Sequence, residues 1–324
     1  LTNRILRRFD MAYKDIKRRL DNQDVIILDG ATGTELQQRG ASMNPAAWCG
    51  PASLDNQQLL TQIHLDYLQA GSDIITANTF ASSRLMLSGA GLGNQVQEIN
   101  RTAVEACLEA RTQFKGEKET AVAGSLSHML PLIPGTDIVD KNLVPSEAAM
   151  SDGFHELANI LKDAGVDLIL LEMMYNPTRV PLALEAAIST GLPVWFGTTV
   201  RRSEGDEVIS FDKHEDIALS KVIQLVPDEG VDVVGVMHSP SDIISEALKE
   251  IKKQFSGPLS AYPDSGYFES PDWNFNDIIA PNRLEEFFSK WLDQGATILG
   301  GCCGLGLDHI RAAVSAKDNF TSPS

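Results

Sequence analysis

Ala296-Thr297-Ile298-Leu299-Gly300-Gly301-Cys302-Cys303-Gly304 is the stretch on which the fold turns. A short apolar run, two glycines and then a pair of reactive side chains is the form of a buried strand ending at the working face of an α/β protein. Adjacent cysteines do not easily close on each other, because the small ring strains the peptide between them. The flanking glycines leave both sulfurs approachable. Two thiols at a strand end make a better metal clamp than a redox pair.

The same unit recurs back along the chain. Apolar, largely β-branched runs occur at Val25 to Leu28, Asp73 to Thr76, Thr120 to Ala123, Val166 to Leu171, Val194 to Val200, Val231 to Val236, Leu259 to Tyr262 and Ala296 to Leu299. Between them lie amphipathic stretches that predict helices, among them Asp55 to Ala70, Gln95 to Phe114, Ser146 to Ala164, Thr178 to Ser189, Ser241 to Phe255 and Pro281 to Gln294. Gly71, Gly165, Gly191, Gly230 and Gly295 sit where a helix should stop and a strand begin. Continuous apolar strands alternating with helices imply a parallel sheet covered on both faces. Eight such units in about 280 residues match a single (β/α)8 TIM barrel. A doubly wound open sheet fits less well, since no Gly-x-Gly-x-x-Gly follows the first strand.

Composition narrows the classes of partner. A net charge of -17 argues against nucleic acid or an anionic membrane, both of which need clustered Lys and Arg. Hydrophobic residues make up 43%, enough for a large core, yet no apolar run has the length of a membrane span or a signal peptide. The four cysteines (Cys49, Cys107, Cys302 and Cys303) are too few and too unevenly spaced for a disulfide framework, which predicts a reducing, cytoplasmic setting. Ile5, Phe9, Tyr13, Ile16 and Leu20 lie at helical spacing and predict a helix over residues 1–20, a short extension packed on the bottom of a barrel formed by residues 21–324. Asp10, Asp15 and the absence of serine there argue against a transit peptide, and Met11 offers an internal start.

In a (β/α)8 barrel the chemistry lies at the C-terminal strand ends. Those positions read Asp29-Gly30, Asn78, Ser125, Glu172, Thr198-Thr199, His238, Pro263-Asp264 and Cys302-Cys303. Strand ends 6 and 8 share one side of the mouth, so His238, Cys302 and Cys303 can converge on one tetrahedral Zn2+ with a fourth position left open, the pattern of a catalytic site. Three long βα connections, 127–144, 201–216 and 264–280, predict a partial lid, the last rich in aromatics with Tyr267, Phe268, Trp273 and Phe275. Cys49 and Cys107 read as packing residues, and His64, His128, His155, His214 and His309 as surface or capping residues.

Four segments together carry a resemblance: Leu28-Asp29-Gly30-Ala31-Thr32-Gly33-Thr34-Glu35-Leu36, Gly71-Ser72-Asp73-Ile74-Ile75-Thr76-Ala77-Asn78-Thr79-Phe80, Asp167-Leu168-Ile169-Leu170-Leu171-Glu172, and Gly300-Gly301-Cys302-Cys303-Gly304. From about residue 25 to 312 the chain resembles the homocysteine S-methyltransferases, which include betaine– and S-methylmethionine–homocysteine methyltransferases and the homocysteine domain of cobalamin-dependent methionine synthase. The resemblance implies a (β/α)8 barrel whose zinc is held by three cysteines. The third normally closes a Gly-Val-Asn-Cys sequence at strand 6, where this chain reads Gly235-Val236-Met237-His238. Imidazole is a competent zinc ligand, so a Cys2His site is expected, one formal negative charge poorer than its relatives. Such a metal should hold a substrate thiolate more firmly and leave it less nucleophilic.

The resemblance further implies a transfer of a methyl group from a sulfonium or betaine donor to homocysteine, giving methionine, with no catalytic side chain beyond the metal-activated thiolate. It assigns Glu172 to the homocysteine ammonium. Asp29 and Gly30 become a substrate-contacting turn, although a turn that simply needs glycine dihedrals would read the same. Asn78 falls in Thr-x-Asn-Thr-Phe and orients substrate or loops. Trp48 matches the tryptophan that contacts betaine, where a cation–π contact competes with ordinary packing. The aromatic that follows strand 2 in betaine-using members is missing, since Phe80 is followed by Ala81-Ser82. The chain shows no long C-terminal arm and no cobalamin or folate module, so a stand-alone enzyme with a small onium donor is expected, monomeric or a small homo-oligomer. The alternatives are a divergent barrel that binds a thiol or amino acid, or uses another acceptor, with little or no homocysteine methylation, and a barrel lyase or aldolase. The lyase would want a strand-end lysine, and none of the eight ends has one.

Overall fold

The computed structural model describes residues 2–321, with side chains from residue 12 onward. The eight barrel strands are β1 (Ile26–Ile27), β2 (Ile74–Ala77), β3 (Ala121–Ser127), β4 (Leu168–Glu172), β5 (Val194–Thr198), β6 (Val233–Pro240), β7 (Leu259–Asp264) and β8 (Ile298–Leu299). Each pairs in parallel with its sequence neighbour from β2 to β8. β8 pairs with β1, and a parallel bridge from Leu28 to Ile74 completes the ring between β1 and β2. The expected (β/α)8 TIM barrel is therefore the observed fold, with strand positions within a few residues of those predicted.

Helices follow the strands and form the outer layer, the longest of them Val96–Gln113 and Glu147–Ala164. Local chemistry sets their ends. The Ser146 side chain accepts a hydrogen bond from the Ala149 N–H at the start of Glu147–Ala164, and Gly165 closes that helix at φ 99°. Gly71 does the same at φ 116°, and a Cβ there would also sit 2.7 Å from Val314.

Strand alternation sorts side chains between the barrel interior and the helix layer. Ile26, Ala121, Ala123, Leu168, Trp195 and Val233 form the inner cluster. The helix Thr2–Asp21 caps this cluster from below: Ala12, Ile16 and Leu20 are buried within it. Burial of Ile16, fully covered, is worth about 1.5–3 kcal/mol. Tyr13 donates to Asp232 and accepts from Trp195 Nε1 at 2.9 Å, which fixes the helix against β5 and β6. The predicted Ile5 and Phe9 contacts lie outside the described side chains. Among the described residues no helix is long and apolar enough to cross a membrane.

Candidate metal and substrate site

Strand β8 delivers the two cysteines. After Leu299 the chain is tied on both sides: Gly301 N–H donates to Asp29 O at 3.1 Å, Cys302 N–H to Pro263 O at 2.6 Å, and Ser265 N–H to Cys303 O at 2.9 Å. Glycine is required at Gly300, where a Cβ would lie 2.4 Å from the Tyr262 ring and 2.7 Å from Leu28. Strand β6 delivers the third group. Its register with β7 shifts between Met237 and Pro240, and His238 has φ 48°. A bulge with a left-handed residue re-aims one side chain, so that Met237 fills the inner cluster while the next residue, His238, faces the mouth. The left-handed backbone costs on the order of 1–3 kcal/mol.

His238, Cys302 and Cys303 bring one donor atom each to within 4.8 Å of one another. The sulfurs are 3.8 Å apart. Two thiolates about 2.3 Å from a tetrahedral zinc would be separated by nearly this distance, so the pair is already spaced for the ion. His238 Nδ1 lies 2.8 Å from Cys302 Sγ and Nε2 lies 2.8 Å from Glu172 Oε2. Burial opposes charge on the imidazole, but the hydrogen bonds to the thiol pair and to Glu172, with their negative charge, outweigh it and lift His238 to about 10. The thiols split. Burial holds Cys302 up, while the hydrogen bond from Cys302 and the nearby imidazole hold Cys303 down. Soft thiolates with an imidazole are a donor set that suits the borderline-soft Zn2+.

Above the trio lies a cavity of about 240 Å³ lined by Trp48, His238 and Cys303. Trp48 meets Phe80 and Phe268 edge to face, with ring centroids 6.1 and 6.2 Å away, and the Phe80 ring lies 5.2 Å from that of His238. All three long loops reach the wall, through Leu132, Phe211 and Tyr267 among others. The loop expected over 201–216 opens with a hairpin, Val200–Arg202 against Val208–Ser210, and the loop over 264–280 carries a second one, Tyr267–Glu269 against Asp272–Asn274. The first two loops are stitched together by Lys213–Asp137 at 3.2 Å and by His214 Nε2 against Val139 O at 2.8 Å.

Not every residue singled out in the sequence reaches the cavity. Asp29 is fully buried, accepting from Thr76 N–H at 2.6 Å and from Thr76 Oγ1 at 2.9 Å. Burial outweighs those hydrogen bonds and, with the Glu172 charge nearby, pushes its carboxyl up to about 8. Gly30 has no positive φ, so the turn-dihedral explanation does not hold. Glycine is needed there for packing, since a Cβ would lie 2.6 Å from Leu305 O and 2.7 Å from the Tyr67 ring. Asn78 turns to the loop carrying Trp48: its Nδ2 donates to Cys49 O at 2.8 Å and Ser53 Oγ at 3.0 Å, and its Oδ1 accepts from Cys49 Sγ at 3.1 Å. Of the two roles considered for Asn78, loop orientation is the one these bonds serve.

Three histidines correct the surface-or-capping assignment, one of them His309, buried with its Nε2 2.7 Å from Ile279 O. His64 is fully buried and, among the described residues, without a hydrogen-bond partner; burial lowers it to about 3, so it stays neutral. His128 is buried too, its Nε2 accepting from the Tyr175 and Asn176 N–H groups at 3.0 and 3.2 Å.

Asp264, placed at a strand end in the sequence but given no role there, lines the cavity, and burial pushes its carboxyl up to about 6. Its signal was present, since it is a strand-end residue of the same alternation as the inward Tyr262. Ser125 and Thr199 are strand-end residues too. Among the described residues their buried hydroxyls have no hydrogen-bond partner, and Ser125 continues the inward alternation of Ala121 and Ala123.

A closed parallel barrel that gathers two thiols and an imidazole under an aromatic cavity at its C-terminal face defines a class of thiol-handling (β/α)8 enzyme. The sequence model for homocysteine S-methyltransferases matches residues 26–316, and the chain belongs to that family and is a methyltransferase. Among curated relatives, it is 28% identical to a selenocysteine Se-methyltransferase of Brassica oleracea var. italica, covering 92% of this chain and 91% of the relative. It is 25% identical to homocysteine S-methyltransferase 2 of Arabidopsis thaliana, covering 88% and 91%. The crystal structure of the homocysteine methyltransferase MmuM from Escherichia coli in its metallated form shares the fold, with a TM-score of 0.73 over 91% of this chain and 97% of that one at 23% identity.

Proposed function

We propose that the protein transfers a methyl group from a small sulfonium donor to the thiol of homocysteine, giving methionine, with Zn2+ held by His238, Cys302 and Cys303. The observation that carries this reading is the convergence of those three donors beneath the aromatic cavity. Zinc bound there would supply one thing: it would keep a coordinated thiol deprotonated at neutral pH, where a free thiol with a pKa of about 8.5 is mostly protonated.

The chain's own residues do the rest by binding and orientation. The acceptor sulfur attacks the donor methyl in line. A new S–CH3 bond forms as the old onium bond breaks, and a neutral thioether leaves, so no general acid is needed. Glu172 supplies negative charge for the acceptor ammonium. The unpartnered Ser125 and Thr199 hydroxyls are available to the acceptor's polar head. Trp48, Phe80 and Phe268 surround the donor's cationic centre with ring faces and edges while keeping water out, a contact worth about 0.5–2 kcal/mol for the best-placed ring. The selenocysteine methyltransferases among the relatives make a selenol the natural competing acceptor to examine. A cytoplasmic setting agrees with four free cysteines, two of them needed as thiolates.

The test is zinc analysis of the purified protein together with methyl-transfer assays. Homocysteine and selenocysteine would serve as acceptors, with S-methylmethionine and betaine as donors. Zinc near one per chain with turnover of homocysteine by the sulfonium donor is the expected result. Zinc without turnover of any donor would favour a barrel that binds a thiol or amino acid without transferring a methyl. Replacing His238 by Cys should restore the more negative metal site and raise the transfer rate. An unchanged rate and unchanged zinc content would remove His238 from the ligand set.

A further inference from the structure

We propose that Glu172 is a positioning residue for the metal-binding imidazole: it accepts the Nε2 proton of His238 and thereby selects the tautomer and ring orientation that present Nδ1 to Cys302 and Cys303. The inference rests on the zinc site proposed above and adds a second duty to Glu172.

A cysteine ligand has one donor atom and needs no tautomer. An imidazole has two nitrogens, only one of which is free to ligate in the neutral ring, and the hydrogen bond made by the other decides which. Substituting histidine into a thiolate site therefore creates a requirement that the three-cysteine arrangement lacks. The geometry meets it. Nε2 lies 2.8 Å from Glu172 Oε2, while Nδ1 lies 2.8 Å from Cys302 Sγ and Nε2 lies 3.9 Å from that sulfur. The ring thus has one nitrogen on the carboxylate and the other on the thiols.

One further contact and two features of its setting hold it there. The left-handed backbone of His238 at the β6 bulge fixes the root of the side chain. The Phe80 ring packs 5.2 Å away at a tilt of 38°. Both partners are nearly sealed from water, with side-chain exposures of 10% for His238 and 7% for Glu172, so few solvent molecules compete for the Nε2 proton. A carboxylate on the distal nitrogen also makes the imidazole more basic, which offsets part of the donor strength lost with the third thiolate. Only Oε2 is committed to His238, and Oε1 is left for a substrate ammonium.

The experiment measures zinc affinity by chelator competition and records the visible spectrum of the Co2+-substituted protein. The proteins would be wild type, Glu172→Ala and Glu172→Gln, each also in a His238→Cys background. Loss of an outer-shell partner of this kind typically costs about 10–100-fold in metal affinity. The expected result is a loss in that range for Glu172→Ala, a smaller one for Glu172→Gln (which keeps an acceptor oxygen), and a shift in the Co2+ ligand-field bands in both. In the His238→Cys background the same changes should move zinc affinity less than twofold. If Glu172→Ala does not fold, Glu172→Gln carries the comparison. Equal losses in both backgrounds, or no loss in the wild-type background, overturn the positioning role while leaving the zinc site intact. A wild-type protein that takes up neither metal overturns the zinc reading itself and this inference with it.

Discussion

At the N-terminal end of the barrel, Asp73 is surrounded by Arg19 at 3.0 Å, Lys118 at 3.1 Å and Lys317 at 3.7 Å, and it accepts from the Ile27 N–H at 2.8 Å. At the C-terminal end the buried carboxylates have thinner company: Glu172 meets His238, and Asp29 meets Thr76. The consequences for charge are opposite. Burial works against ionising Asp73, but the Arg19 hydrogen bond and the two lysines outweigh it and hold its carboxyl below the usual range. Burial wins at Asp29, pushed up to about 8, and at Asp264, pushed up to about 6. A compensated buried carboxylate is a structural bolt. One left short of positive charge marks a place where a cationic ligand would gain binding energy. Asp73 and the mouth carboxylates place the two duties at opposite ends of the barrel axis, in line with the fold's division between a stabilising bottom and a working top. Asp167 at the bottom, raised by burial despite Arg111 at 2.7 Å, departs from it.

The sharpest way to break that comparison is at the mouth. Replacing Cys302 by Ala removes a ligand itself, so zinc affinity and methyl transfer should both fall by more than the roughly 100-fold upper range for an outer-shell partner. Unfolding of the metal-free protein should change little, because Cys302 has a small side chain and alanine keeps its Cβ in the same packing. A metal-free protein that lost its cooperative unfolding transition on this change would show that the cysteines hold the fold, and the separation of duties would collapse.

The bottom is tested by Asp73→Asn, with the opposite pattern. Breaking a buried ion pair costs about 3–5 kcal/mol, and the low end applies here because the three cations reach water. Methyl transfer at saturating substrate should stay within twofold in the folded fraction. A depressed carboxyl contributes stability that is fully present above its unfolded pKa of about 3.9 and is lost as pH falls through the lowered folded value. The gap between wild type and Asp73→Asn in urea unfolding should therefore be constant from pH 7 to about pH 5 and close only under acid. Asp29 has the reverse sign. Its raised folded value costs nothing below the unfolded pKa of about 3.9 and costs progressively more as pH rises from there to about 8. A gap for Asp73→Asn that widened under acid would contradict the bolt.

The sequence makes the bottom and the scaffold easier to read than the mouth. Strand runs and glycine helix stops are local signals, so the barrel and the strand-end positions of His238, Cys302 and Cys303 are legible without any long-range information. What the local pattern cannot carry is which strand ends touch. Glu172 and His238 are 66 positions apart, and nothing near either one announces their hydrogen bond. Asn78 reads as a mouth residue by position, yet it bonds across 29 positions to Cys49 and so holds the Trp48 loop. His64 and His128 cannot be placed from residue type, since histidine is intermediate between buried and exposed; only the packed helices and loops reveal their burial. The cavity wall is the least legible part, because it is assembled from three loops whose conformations depend on one another.

The smallest effect tests that wall. Trp48 touches Phe80 and Phe268 by their edges and stands over Gly33, where a Cβ would lie 2.8 Å from the indole. If the indole recognises the donor's positive centre, Trp48→Ala should raise KM for a sulfonium or betaine donor by about 2- to 30-fold, the equivalent of 0.5–2 kcal/mol. KM for homocysteine should be spared, and zinc content unchanged. Trp48→Phe keeps a ring face and should recover part of the loss. Equal increases in KM for donor and acceptor would instead mean that Trp48 only props the loop pinned by Asn78. The aromatic wall would then be packing, and the selection of a cationic donor would fall to the under-compensated carboxylates alone.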